Sequence, residues 1–252
     1  MKILHTIWIN FGIYAGMILW TLAGLILSLP TFLIFKYIKS LSTAEAARML
    51  VWIYGRVWVW IVSLFITVRL SAYEIPSPCV LVANHSSIFD SYFVGGQPLW
   101  NVCWVIADWP FSIPFYRPFM HAAKYVRANQ AEPGSVVKQS VNAIANGGSM
   151  FFYPEGTRTS TGELGRFHSG PFQVAIKAGV PIIPICIYGT FELMPRGARF
   201  LSPATINIHL LPPVYPDKST ELSTGHTAMK KDVKALMLHA LEEMKKQPPI
   251  SA

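Results

Sequence analysis

The sequence has few charged residues for its length. Asp, Glu, Lys and Arg make up 13% of its 252 residues, about half of the share in a typical soluble domain. Apolar residues make up 52%, and the mean hydropathy is +0.38. Because a soluble surface needs charged side chains, we expect part of this surface to lie in lipid. The same composition excludes disorder as the main state of the chain.

The motifs of several common enzyme classes are also absent. The sequence has no G-x-x-x-x-G-K-[ST] phosphate loop, no G-x-G-x-x-G dinucleotide motif and no G-x-S-x-G nucleophile elbow. Neither an H-E-x-x-H motif nor a Cys/His cluster offers a catalytic metal site. These absences disfavour nucleotide hydrolysis, dinucleotide redox chemistry and ordinary serine-hydrolase chemistry. We expect no bound cofactor and no metal.

Cysteines are few and odd in number. Cys79, Cys103 and Cys186 lie in apolar runs without the spacing of metal ligands. Free cysteines are among the most buried residues, so we predict buried thiols in a reducing compartment. An exposed reactive thiol is the alternative.

The charges that are present are mostly positive. The net charge is +8, and residues 1–70 contribute +5 of it, with Glu45 as their only acid. The positive charge is therefore densest where the chain is most apolar. This distribution favours a phospholipid surface over nucleic acid as the anionic partner.

The longest uncharged stretch runs from Ile3 to Phe35. It exceeds the length that marks a membrane-helix candidate, and it is too long for a signal peptide and has no cleavage site before Lys36. We predict a helix over about residues 6–29, ended or kinked by Pro30. A buried core helix is the alternative reading.

A second helix is predicted by the capping-box pattern Ser42-Thr43-Ala44-Glu45. Tryptophans that favour a membrane interface follow in this run: Trp52, Trp58 and Trp60. Arg56 divides the run and leaves residues 57–68, which are too few to span a bilayer. We therefore expect an interfacial or re-entrant helix, and residues 1–65 as a membrane-embedded helical hairpin or a single span. The rest of the chain is placed on the cytoplasmic side of the membrane.

Residues 66–252 show short β-rich runs that alternate with helical stretches, which predicts an α/β domain with a mostly parallel central sheet flanked by helices. Strands are predicted at Ile66–Ala72, Cys79–Ala83, Val102–Ala107, Ala122–Arg127, Ser149–Tyr153, Pro181–Tyr188 and Thr205–Leu211. Helices are predicted near Ser87–Val94, Ser135–Asn146 and Gly170–Ala178, with an amphipathic closing helix at Thr227–Lys246.

One polar pair follows the second predicted strand. His85 lies at the strand end, and Asp90 lies five residues later in the helix that follows. From this position the imidazole can lean back over the first helical turn towards the carboxylate, which then fixes its tautomer and leaves the other ring nitrogen free as a base. Taken alone, a surface histidine beside a helix carboxylate is the simpler explanation.

A second turn leaves another apolar strand through the sequence Pro154-Glu155-Gly156-Thr157-Arg158. Gly156 permits close approach of the backbone, Thr157 carries a hydroxyl, and Arg158 supplies a planar set of donors suited to phosphate oxygens. Arg127 lies at a further strand end. Because the carboxyl ends of parallel strands gather the sites of α/β sheets, we expect His85, Arg127 and residues 155–158 to converge on one edge. An ordinary turn with Arg158 in solvent is the alternative.

These residues resemble a known family. N-H-S-S-I-F-D is similar to the His-x4-Asp block of the glycerophospholipid acyltransferases, and F-Y-P-E-G-T-R to their Glu-Gly-Thr-Arg block. The run from Val180 to Ile187 is similar to the Val-Pro-Ile-x-Pro block, and Arg127 stands where the family keeps a phosphate-binding arginine. Within this family the blocks most resemble those of the 1-acylglycerol-3-phosphate acyltransferases. Two positions depart from the family pattern, since Asp108 and His168 stand where basic residues are common.

The resemblance implies transfer of a fatty acyl group from acyl-CoA or acyl carrier protein, as co-substrate, to the hydroxyl of a lysophospholipid at a bilayer. It implies His85 as general base, Asp90 as its orienting partner, and Arg127 and Arg158 as ligands of the acceptor phosphate. Glu155 and Gly156 then shape the turn beside Thr157. A different lysolipid acceptor, a non-catalytic lipid-binding protein on the same fold and a membrane hydrolase are the alternatives.

Overall fold

The computed structural model describes residues 2–71, 74–130, 132–217 and 222–246. The helices are α1 (Lys2–Leu33), α2 (Thr43–Ser63), α3 (Asp90–Gly95), α4 (Trp109–Ser112), α5 (Arg117–Ala122), α6 (Ser135–Ala145), α7 (Gly170–Ala178), α8 (Thr190–Leu193) and α9 (Leu222–Lys246), with a π-helix at Ile34–Ile38. The strands are β1 (Val68–Leu70), β2 (Val80–Ala83), β3 (Val102–Ile106), β4 (Val126–Arg127), β5 (Ser149–Phe152), β6 (Ile182–Tyr188) and β7 (Ile206–Leu210).

The strands form one seven-stranded sheet in the order β1-β7-β6-β2-β5-β3-β4. The β6–β7 pair is antiparallel and the other pairs are parallel, which confirms the predicted fold class. Strands β2 and β5 lie side by side, with Val80 opposite Met150 and Val82 opposite Phe152. The loops that follow these two strands therefore leave the same edge of the sheet next to each other.

Each predicted strand has its counterpart, but the one predicted at Ala122–Arg127 is mostly wrong. Helix α5 extends to Ala122, Lys124 turns the chain with a positive φ of 54°, and β4 contains Val126 and Arg127 alone. The strand is short because β4 is an edge strand with one neighbour, β3. The end of the first predicted strand, at Ala72, lies outside the described residues.

Helices α1 and α2 form an antiparallel hairpin, as predicted. The indole N–H of Trp20 donates to the carbonyl of Tyr54 at 3.0 Å. Nearer the start of α1, a side chain at Gly12 would collide with Phe65, and a Cβ at Gly16 would lie 2.7 Å from Ile61 Cγ2. Small residues therefore let the two helices approach closely.

The expected capping box starts α2. Ser42 Oγ accepts from the N–H of Glu45 at 3.3 Å, and Glu45 Oε2 accepts from the N–H of Ser42 at 2.9 Å. The predicted end of the first helix is wrong, because α1 continues through Pro30 to Leu33 and into the π-helix. A proline is tolerated inside long apolar helices when the backbone adjusts around it.

The hairpin covers one face of the sheet and α6, α7 and α9 cover the other. In the first core, Ile9, Ile13 and Trp58 pack with Leu81 and Phe151 of the sheet. The second core joins the sheet to the opposite helices through a set of buried side chains: Val80, Val82, Ile144, Phe172, Val233 and Met237.

The tryptophans of α2 do not all face the membrane interface. Trp60 is 62% exposed, but Trp58 is 0% exposed and stacks with Phe89 and Tyr92. The interfacial assignment of Trp58 is therefore wrong, because this residue lies on the side of α2 that meets the α/β core. Among the described residues, one helical segment, Ile3–Ile38, is long and apolar enough to cross a membrane.

Candidate active site

His85 and Asp90 form a direct pair at the end of β2. The imidazole Nδ1 lies 2.9 Å from Asp90 Oδ2, and the side chains are 17% and 0% exposed, respectively. Helix α3 begins at Asp90, so the histidine precedes the helix and leans over its first turn, as predicted. From this contact we place the ring proton on Nδ1, which donates it to the carboxylate. Nε2 is then the ring nitrogen that can accept a proton.

Backbone donors hold the carboxylate of Asp90 in place. The same oxygen, Oδ2, accepts from the N–H groups of Ser86 and Ser87 at 2.7 and 2.8 Å. Upstream, Asn84 fixes the end of β2 against β6, because its side chain exchanges two hydrogen bonds of 2.8 Å with the backbone of Ile187. The position of the histidine is therefore set by the sheet and by the turn together.

Glu155 joins the second turn to the first. Its Oε1 accepts from the N–H of His85 at 2.9 Å, and its Oε2 accepts from the N–H of Gly165 at 2.8 Å. A third bond runs from the N–H of Thr159 to the carbonyl of His85 at 2.8 Å. The structure thus brings the histidine and residues 155–159 together, and it gives Glu155 a bridging contact that the sequence pattern did not predict.

The environment of Glu155 opposes its ionisation. Burial raises the pKa of this carboxyl above its ordinary value, although the backbone N–H groups of His85 and Gly165 act in the opposite direction. Each carboxyl oxygen already accepts a hydrogen bond from a backbone N–H group, that of His85 or that of Gly165. Its contacts with the backbone of His85 and Gly165 are those of a residue that shapes the site.

The remaining residues of the second turn face outward. Gly156 has a φ of +73°, a left-handed conformation that favours glycine. Thr157 is exposed and Arg158 is partly exposed. Among the described residues the acidic partners of ion pairs are Asp90, Glu163 and Glu243, so the guanidinium of Arg158 has no carboxylate bound to it.

Arg127 lies on the same edge of the sheet but farther from the histidine. Its strand, β4, is three positions away from β2, the strand before His85, which corresponds to roughly 14 Å between strands. The guanidinium lies over the ring of Phe111, 4.5 Å from its centroid. The structure therefore places Arg127 at the rim of the predicted site and shows it in contact with α4.

Tyr153 is a site residue that the sequence pattern missed. Its ring stacks on the imidazole of His85 with centroids 3.8 Å apart and an interplanar angle of 12°. The phenol oxygen lies 3.2 Å from Ser91 Oγ, and burial raises the pKa of this phenol well above its usual range. The sequence feature that could have indicated this residue is its position at the end of a predicted strand, directly before the turn that starts at Pro154.

The three cysteines are free and buried, as predicted. Burial raises the pKa of the Cys79 thiol to about 11 and that of Cys186 to about 12. These thiols are therefore protonated at neutral pH and unsuited to nucleophilic chemistry. Within the described ranges, no group of three or more His, Cys, Asp and Glu side chains could hold a metal ion.

Comparison with known proteins agrees with this geometry. Residues 66–188, which contain both turns and β6, match the family model Acyltransferase. This segment of the chain is a domain of the acyltransferase family. A chloroplastic 1-acyl-sn-glycerol-3-phosphate acyltransferase from Brassica napus is 34% identical over 149 residues, which are 57% of this chain and 42% of the relative. The enzyme of that name from Pseudomonas aeruginosa is 25% identical over 146 residues, 56% of this chain and 55% of the relative.

A solved structure extends the likeness to the whole fold. The 1-acyl-sn-glycerophosphate acyltransferase PlsC from Thermotoga maritima superposes with a TM-score of 0.80 over 99% of this chain and 100% of the other, at 20% identity. The alignment with the Brassica relative covers less than half of that relative's length. This chain therefore shares the fold of that solved structure.

Proposed function

We propose that this protein is a membrane-bound acyltransferase that moves a fatty acyl group from acyl-CoA or acyl carrier protein to the hydroxyl of 1-acylglycerol-3-phosphate, giving phosphatidic acid. The observation that carries the proposal is the imidazole of His85, held on Nδ1 by a buried carboxylate 2.9 Å away and tied through Glu155 to the turn that carries Arg158. The names of the relatives support this acceptor.

The reaction needs one base and no covalent enzyme intermediate. Nε2 of His85 takes the proton of the acceptor hydroxyl while its oxygen attacks the thioester carbonyl. The new ester C–O bond forms, the C–S bond breaks, and the proton passes to the departing thiolate. Asp90 and the face of Tyr153 stabilise the imidazolium in between. Positioning supplies much of the acceleration, because the thioester is already activated.

The acceptor phosphate fits the guanidinium groups at this edge. Arg158 can bind two phosphate oxygens at once, and Thr157 offers a hydroxyl beside it. Arg127 is assigned to the same phosphate from the rim, which requires its side chain to leave the ring of Phe111. Phosphate recognition therefore depends chiefly on Arg158.

The substrate lipids are supplied by the bilayer. Helix α1 exposes large apolar side chains along its length, so we assign the hairpin to the membrane and the sheet to its cytoplasmic side. The basic residues of the segment that follows α1, Lys36 and Lys39, suit anionic headgroups on that side.

The test is acyl transfer by purified protein in detergent, with acyl-CoA and a panel of lysolipids that differ in headgroup. We expect free thiol and phosphatidic acid in equal amounts, and only when lysophosphatidate is present. Thiol release without an acceptor would indicate a hydrolase, transfer to another lysolipid would change the acceptor, and lipid binding without thiol release would indicate a binding protein.

A variant of Arg158 tests its assignment as a ligand of the acceptor phosphate. Arg158→Ala is expected to raise KM for lysophosphatidate about tenfold with a smaller change in kcat, because one charge-assisted contact is lost. Lys177→Ala, at the far end of α7, is the matched control because it removes an exposed positive charge away from the turn. An unchanged KM in Arg158→Ala would remove this residue from the phosphate site.

A further inference from the structure

A second group of basic side chains lies beside the active site, on the side of the sheet opposite the hairpin. Its members come from the segment before α7 and from α9: Arg166, His168, Lys230 and Lys234. We call them the α7–α9 basic surface. Lys230 Nζ donates to Ser169 Oγ at 3.0 Å, and Lys234 Nζ lies 5.8 Å from the centroid of the Phe167 ring. The two lysines are one helical turn apart, so one side of α9 presents both to this segment.

This surface begins at the wall of the catalytic turn. The N–H of His168 donates to the carbonyl of Pro154 at 2.7 Å, and a Cβ on Gly156 would lie 3.1 Å from His168 Nε2. Glu155 in turn binds both Gly165 and His85. The basic surface and His85 are thus connected through residues 154–156 of one turn.

The acids near this surface do not neutralise it. Glu163 binds Lys245 at 2.7 Å, farther along α9. Asp232 is two residues from each of Lys230 and Lys234, a spacing that turns it to another side of the helix. Among the described residues, none of the four basic side chains forms an ion pair. The surface is therefore suited to a ligand with several negative charges.

The outer surfaces on the two faces of the sheet indicate which of the two substrates carries the negative charges that the α7–α9 basic surface binds. The hairpin face exposes apolar side chains and suits the lipid acceptor, whereas α9 exposes mostly polar and charged side chains to water. An acyl thioester donor is water-soluble at its phosphate end, and its pantetheine arm separates these phosphates from the reacting carbonyl. The phosphates must therefore bind at some distance from His85, on the aqueous side.

We propose that the α7–α9 basic surface binds the phosphate groups of the pantetheine thioester donor. This inference rests on the proposed function and adds a donor site to it. Lys230 and Lys234 hold the phosphates, Arg166 and His168 line the approach, and the pantetheine arm runs along the turn at residues 155–158 to the histidine.

The test compares Lys230→Gln/Lys234→Gln with Lys177→Gln/Lys246→Gln, which removes the same number of positive charges elsewhere. The first variant is expected to raise KM for acyl-CoA about tenfold, with KM for the lysolipid unchanged, because charge-assisted contacts to phosphate are lost. Acyl-pantetheine, which lacks the phosphates, should show no difference between the variants. Acyl-phosphopantetheine carries the one phosphate that acyl carrier protein also has and lacks the nucleotide. Its KM therefore shows whether the lysines bind that phosphate or those of the nucleotide.

Calorimetric titration with coenzyme A alone keeps this inference separate from catalysis. We expect weaker binding to Lys230→Gln/Lys234→Gln than to the wild type or the control, whether or not the protein turns over a given lysolipid. Equal binding of coenzyme A to all three proteins, or a penalty that persists with acyl-pantetheine, would overturn the donor site. Absence of transfer by the wild type to any lysolipid would instead overturn the proposed function.

Discussion

The two faces of the sheet are covered by helices with opposite outer surfaces. Helix α1 packs through a narrow stripe that includes Ile9 and Ile13, and it leaves a broad apolar side exposed: Ile7, Trp8, Phe11, Ile18, Leu19, Leu22, Ile26 and Leu29. Helix α9 is almost as long, and the large apolar side chains it exposes within its described part are Leu236 and Leu238. One outer surface is therefore apolar and the other mostly polar, and under the proposed function the first meets lipid and the second meets water.

The hairpin is nevertheless attached to the sheet by specific polar contacts. The side chain of Asn10 donates to the carbonyl of Leu201 and accepts from its N–H, both at 2.8 Å. The hydroxyl of Tyr14 donates to the carbonyl of Arg199 at 2.9 Å. These bonds fix the first part of α1 against the segment that contains Arg199 and Leu201.

The largest expected effect is at the edge shared by both faces. His85→Ala should lower the rate of transfer by about a thousandfold, because the base is lost. Vesicle binding should be unchanged, since the hairpin is untouched. Phosphatidic acid formation and vesicle co-sedimentation measure the two properties. Turnover of His85→Ala at the wild-type rate would show that this histidine is not the base of the reaction.

The next effect separates the faces directly. Leu19→Lys should weaken binding to phospholipid vesicles by about fiftyfold, because a charge is placed in the apolar side of α1. Leu236→Lys on α9 is the matched control and should bind vesicles as the wild type does. Equal losses in both variants, measured by co-sedimentation, would mean that lipid does not distinguish the faces.

A smaller effect concerns the ring that supports the base. Tyr153→Leu should lower kcat about tenfold with KM values unchanged, because the aromatic face on the imidazole is lost. Tyr153→Phe keeps the stacking and loses only the contact with Ser91, so its kcat should stay close to that of the wild type. A decrease in Tyr153→Phe as large as that in Tyr153→Leu would assign the effect to the hydroxyl.

The smallest effect is a pH dependence of stability. Because burial raises the pKa of Glu155 in the folded protein, the folded form takes up a proton before the unfolded form as the pH falls. The contribution of this carboxyl to the free energy of unfolding therefore increases towards mildly acidic pH. Urea unfolding of the wild type and Glu155→Gln should show a difference that shifts in favour of the wild type as the pH is lowered. A shift in the opposite direction would contradict the burial of this group.

The sequence predicted what depends on short-range pattern. Apolar runs located the strands, the capping box located α2, and the place of His85 before the helix gave its contact with Asp90. It did not predict that Glu155 bonds to the backbone of His85, or that Tyr153 stacks on its ring, because both follow from the adjacency of β2 and β5. Strand order is a long-range property that no local pattern carries.

The same limit explains the wrong assignments. Trp58 was assigned to the membrane interface from its residue type, yet the side of α2 that faces the core is decided by packing against α3 and the sheet. The role of Arg127 stays a prediction: it lies at the expected edge of the sheet, and its contact with Phe111 is one that its strand end did not predict. Composition gives the solvent preference of a side chain, whereas the fold gives its neighbours.

Spin labels attached at residues 19 and 238, one on each face, can show which face meets lipid when the protein is in lipid vesicles. We expect the label at residue 19 of α1 to collide preferentially with oxygen, which concentrates in lipid. The label at residue 238 of α9 should collide preferentially with a water-soluble nickel chelate. The reverse pattern, or equal access of the chelate to both labels, would contradict a site placed between a lipid face and an aqueous face.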